Sequence, residues 1–145
     1  AHNANGDLNS SPIVSPEWIF QKDPDIIFIL GYWGWADVTY ERGADSLRSV
    51  GDNFKNRTGY ERLKAVQSDR IYIFNFGLIS GPRAFVGLVY FAKAIYPDRF
   101  ADIDPDAIRR EYAELFGIGD EEGVEWFYPP FEPEGSVASS GDSAF

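Results

Sequence analysis

The chain has 145 residues, no Cys, a single His at position 2 and a formal net charge of -10. That length carries one domain with a real core. The missing thiols exclude a disulfide framework, a thiolate zinc site and a Cys nucleophile, and the acidic balance argues against nucleic acid and anionic membrane surfaces.

At 44% hydrophobic and 17% aromatic the composition is that of a folded protein. A lone His at a ragged terminus argues against a His-based metal site or triad. No run approaches the ~20 apolar residues of a membrane-spanning helix. The chain starts without Met and shows no signal peptide, so the expectation is a processed protein or a piece of one.

Residues 1–12 are polar and turn-rich and read as a flexible lead-in. Ser15-Pro16-Glu17-Trp18 then reads as a helix start. Ser15 is placed to cap, Pro16 suits the first helical position, and Glu17 is favoured by the positive end of the helix dipole. The helix must stop before Pro24, because a residue preceding Pro avoids the helical region. Ile26 to Leu30 is a continuous apolar run, the pattern of a strand buried on both faces of a parallel sheet.

Gly31-Tyr32-Trp33-Gly34-Trp35 follows that strand. Three aromatics in four residues beside Gly admit two readings: indoles that cover the sheet end, or an aromatic platform for a flat ligand. Leu47, Val50 and Phe54 then recur at helical spacing, with Gly43 and Gly51 as interruptions. Arg57-Thr58-Gly59 is a turn, and Tyr60 to Val66 reads as a helical turn.

Ile71-Tyr72-Ile73-Phe74 is β-branched and aromatic, so it reads as a buried strand. A turn-rich segment runs from Asn75 to Gly81, and Pro82 sits where a helix begins. From Phe85 the apolar residues fall on a wide helical face that ends before Pro97. This is the βα half of a βαβ unit. In open α/β folds the turn beyond the carboxyl end of a strand is where ligands sit. Leu78, Ile79, Ser80 and Arg83 are therefore candidate binding residues, and the loop after the first strand should emerge at the same sheet edge.

Asp102-Ile103-Asp104-Pro105-Asp106 alternates carboxylates but lacks the Gly and distal Glu of a calcium loop. It reads instead as Asp104 capping a helix with Pro105 at its first position, Ile108, Tyr112, Leu115 and Phe116 on one face, and Gly117 at its end. Val124 to Tyr128 reads as an edge strand, and the tail beyond Pro133 as disordered. Asn9 and Asn56 open N-x-S/T sequons, which matter only on a cell surface. No carboxylate sits in an apolar, Gly-framed setting suited to catalysis, so an enzyme is not expected.

Taken in order, VSPEWIFQKDPDIIFIL, NRTGYERLKAVQSDRIYIFN and SGPRAFVGLVYFAKAIYPDRF with DIDPDAIRREYAELF resemble the C-terminal lobe of the periplasmic-binding-protein family. The branch is the one serving ABC importers of ferric siderophores, haem and cobalamin. The ordered succession over about residues 13–117 is more specific than any one motif. The resemblance implies an α/β, Rossmann-like three-layer sandwich with a mostly parallel sheet, spanning 13–132 between the lead-in and a disordered tail at 133–145.

It further implies a periplasmic or extracellular, cell-surface protein without a cofactor. Its ligand would be an iron–siderophore, haem or a corrinoid, a metal chelate held in a cleft between two lobes. Glu17 matches the glutamate that docks on the ABC permease. Tyr32, Trp33 and Trp35, and Leu78, Ile79 and Ser80, match ligand-facing loops. Arg83 matches the Arg of a Gly-Pro-Arg motif, facing an anionic ligand group or tying its helix start. The N-terminal lobe, the linking helix and the first strand and helix of this lobe have no counterpart here, so an incomplete lobe that pairs as a homodimer is expected. The alternative is a surface-exposed interaction or assembly domain that binds no solute.

Overall fold

Alternation along two strands decides the layers of the fold. The structure is a computed structural model, and it describes residues 14–32, 45–118 and 125–131. Strand β1 (Ile27–Tyr32) runs parallel to β2 (Ile71–Asn75), pairing Ile27 with Ile71 and Leu30 with Phe74. A short β3 (Phe127–Tyr128) adds antiparallel to the other edge of β2, giving the order β1-β2-β3. Neighbouring side chains on a strand point to opposite faces. Ile27, Ile29, Ile71 and Ile73 thus share one side, and Phe28, Leu30, Tyr72 and Phe74 share the other.

Helices cover both sides, as expected of an α/β sandwich. Against the isoleucines pack α2 (Asp45–Lys55), through Leu47, Val50 and Phe54, and α3 (Lys64–Gln67), through Ala65 and Val66. Gly51 does not interrupt α2. A Cβ there would lie 2.7 Å from Ile73 Cδ1, so the glycine lets the helix lie against the sheet. Against the aromatic side pack α4 (Ala84–Ile95) and α5 (Pro105–Leu115), with Val86, Tyr90, Ala94 and Tyr112 in the core.

The helix ends follow local chemistry. In α1 (Pro16–Lys22) the Ser15 hydroxyl accepts the Trp18 N–H at 3.3 Å. Asp23 takes the left-handed conformation beyond its last turn, and its carboxylate accepts the Lys64 N–H at 3.0 Å. Asp104 accepts the N–H groups of Asp106 and Ala107 at 2.9 and 3.1 Å. The Arg70 guanidinium donates to the Ala94 and Ile95 carbonyls at 3.2 and 3.1 Å, where α4 runs out of internal partners.

Two expectations need correction. Leu115 and Phe116 do not join Tyr112 in the core; they are 78% and 61% exposed. The inward stripe of α5 is Pro105, Ile108, Arg109, Tyr112 and Ala113, rotated away from the apolar stripe of the sequence. Part of that stripe is polar, because Arg109 lies over the Trp126 ring, and beside the stripe Asp106 accepts the Tyr90 hydroxyl. The edge strand is also shorter than expected: β3 spans Phe127–Tyr128, and Val124 lies outside the described residues.

Candidate functional site

Parallel pairing brings the carboxyl ends of β1 and β2 to one edge, with Tyr32 opposite Asn75. The register slips between Leu30 and Tyr32, so Gly31 sits in a bulge. Bulges re-aim a chain where it leaves a sheet. A side chain at Gly31 would overlap Leu47 Cδ2 and come within 2.8 Å of Ile73 Cγ2, so α2 closes over that point. Tyr32 is placed by its backbone at the end of β1. Trp33 and Trp35, the proposed platform, lie outside the described residues.

The turn after β2 is fully described. The Asn75 side chain accepts the Gly77 N–H at 2.8 Å, folding the chain sharply as it leaves the strand. Two single-turn 3₁₀ segments follow, Phe76–Leu78 and Gly81–Arg83, and lead straight into α4. Gly81 has φ 62°, a left-handed conformation that glycine adopts without strain. Gly87 on α4 faces the turn so closely that a Cβ would overlap the Leu78 carbonyl oxygen.

The sequence candidates in this turn divide. Leu78 is a core residue, 1% exposed beneath α4, and this corrects its assignment to a binding surface. It turns inward because the missing side chain of Gly87 leaves room for the turn to lie flat on the helix. Ile79 stands at the tip, 38% exposed, and Ser80 is half-buried beside it. Arg83 is half-buried, its guanidinium carbon 5.0 Å from the centroid of the Trp126 ring. Of the sequence candidates the turn thus presents Ile79 and Ser80, beside the exposed Gly81 and Pro82, with Arg83 behind them.

Trp126 was not singled out by sequence, yet it meets this turn at three points. Its carbonyl accepts the Asn75 N–H at 3.0 Å, its ring lies where a side chain at Gly77 would point, and it underlies Arg83. The one local sign is Gly77. Its φ is not left-handed, so the glycine serves a close approach: a Cβ there would lie 2.8 Å from Trp126 Cζ3.

Glu17 stands exposed in the first turn of α1, apart from these groups in chemistry. Backbone hydrogen bonding at its own N–H, and then the Ser15 hydroxyl, hold its carboxyl below the usual glutamate range. It is therefore a fixed negative charge at neutral pH. Among the described residues no group of three His, Cys, Asp or Glu side chains is arranged to hold a metal. No helix among them is long and apolar enough to cross a membrane.

No protein-family model matches the chain, and no curated protein matches it. Solved structures do. The crystal structure of the TroA-like periplasmic binding protein FepB from Veillonella parvula matches with a TM-score of 0.65 at 32% identity, covering 85% of this chain and 37% of that protein. The chain thus spans little more than a third of that protein's length. In both fold and sequence it is similar to part of a TroA-like periplasmic binding protein, and its α/β architecture is that of the lobe expected from its motifs.

Proposed function

We propose that the chain is the C-terminal lobe of the solute-binding component of an ABC importer, working in the periplasm or at the cell surface. The observation that carries the reading is the 32% identity to a periplasmic binding protein over 85% of the chain. A solute-binding role of this kind is binding rather than catalysis. The parallel β1–β2 pair supports placing the ligand at the edge where β1 ends at Tyr32 and the turn presents Ile79 and Ser80, with Trp33 and Trp35 next in the sequence. The ligand class is a metal chelate: an iron–siderophore, haem or a corrinoid. Such a ligand is broad and partly flat, and aromatic loops beside an apolar tip suit it. Glu17 is the permease contact, an exposed surface carboxylate for an arginine-bearing partner.

Titrating the full-length protein with ferrioxamine, haemin and cyanocobalamin, followed by tryptophan fluorescence, tests this reading. Saturable quenching by one of them is the expected result. Glu17→Arg should leave that affinity unchanged while impairing uptake. Silence with all three chelates favours the second reading, an interaction domain. One observation speaks for it: Phe85, Leu88, Leu115 and Phe116 are 51 to 78% exposed along α4 and α5. That surface suits a second copy of the chain, and sedimentation showing a dimer would accompany it.

A further inference from the structure

The turn between β2 and α4 has local bonds along its length: Asn75 Oδ1 accepts the Gly77 N–H, the Phe76 carbonyl the Ile79 N–H, and the Gly81 carbonyl the Ala84 N–H. Beyond these, a single residue far away in sequence meets its start, its middle and its end. Trp126 is 8% exposed. Its carbonyl closes on the Asn75 N–H, its ring edge fills the space a side chain at Gly77 would need, and its ring carries the Arg83 guanidinium at 5.0 Å. Arg109 of α5 lies 6.0 Å from the same ring centroid, so the indole is also tied to the helix beneath.

We propose that Trp126 is the positioning residue of the β2–α4 turn, setting the pose in which Ile79 and Ser80 meet the ligand; this rests on the reading of that turn as ligand-facing. The indole acts through its ring and its backbone. Its Nε1–H is buried and finds no acceptor among the described residues, so no side-chain hydrogen bond is lost if another flat ring replaces it. Cation–π attraction and close packing need only that ring. The arrangement links β3 to the ligand edge: any shift of 125–128 is passed to the turn through three contacts at once.

Hydrogen exchange of the ligand-free, full-length protein reads this without any ligand. In Trp126→Leu the Gly77 and Ile79 amides should exchange about tenfold faster or more, while the Val66 and Gln67 amides, bonded to Leu63 in α3 on the other face, change by less than about threefold. Trp126→Phe should bring the turn back to within about threefold of wild type. A residue that merely supports the fold would raise both sets together; that result, an unchanged turn, or a Phe variant no better than Leu overturns the proposal. If Trp126→Leu does not fold, Arg83→Ala must loosen the turn amides selectively, and failure to do so overturns it equally. Affinity for the chelate that quenches the wild type should fall about tenfold in Trp126→Leu and recover in Trp126→Phe. If no chelate binds the wild type but the exchange pattern holds, the ligand reading fails and the positioning role stands.

Discussion

The two faces of the sheet are built differently, and the contrast separates support from site. On the α2–α3 face four isoleucines meet Leu47, Val50, Ala65 and Val66 together with two rings, Phe54 and Tyr128, and two glycines, Gly31 and Gly51, press their backbones against Ile73. On the α4–α5 face aromatic rings interlock. Phe91 meets Phe28 and Phe74 edge-on at 4.9 and 5.1 Å, and Phe127 stacks with Phe131 at 5.3 Å. β-branched side chains have few rotamers and leave little slack. Rings meeting edge to face tolerate small shifts of their neighbours. The isoleucine face is therefore the fixed wall, and the aromatic face carries the turn proposed to meet the ligand.

Truncation on the fixed wall should have the largest effect. Ile73 is fully buried and flanked by two glycines that have no side chain to move into a vacated space. Ile73→Ala should cost about 2–5 kcal/mol in urea denaturation, toward the upper part of that range. Adding Gly51→Ala to it should restore part of the loss. If it restores nothing, the close approach of α2 is not what sets the cost.

Insertion on the aromatic side comes next. In Gly87→Ala the new methyl would meet the Leu78 carbonyl, a backbone atom that yields only if the whole turn moves. A cost of about 1–3 kcal/mol is expected, together with shifted amide resonances at Ile79 and Ser80. Unshifted resonances would mean that α4 moves instead and that turn and helix are not locked. The smallest effect should come from Phe91→Leu, a half-buried ring among rings, at under about 1.5 kcal/mol. A loss there equal to that of Ile73→Ala would erase the distinction between the faces.

Much of the frame was readable locally because its causes are local. Ser15 and Asp104 cap the helices expected of them, and Pro16 and Pro105 open those helices. The runs at Ile26–Leu30 and Ile71–Phe74 pair in parallel as their two-sided apolarity implies. What escaped depends on contacts across long stretches of chain. Leu78 looks like any apolar residue in a turn; its burial follows from the absent side chain of Gly87. The inward face of α5 is misread from hydrophobicity because Arg109 belongs to it, paired with a ring. Trp126 gives no local hint of the turn it meets, and Gly77 shows only that something comes close.

The central claim is that ligand is met at the carboxyl ends of β1 and β2 and not elsewhere on this lobe. Amide chemical-shift mapping of the full-length protein, titrated with the chelate that quenches its fluorescence, addresses that claim most directly. The expected result is shifts concentrated in residues 76–83 and 32–35, with residues 54–70 at the opposite end of the strands unchanged. Shifts centred on residues 54–70, or on Leu115 and Phe116, with the 76–83 turn silent, would contradict it.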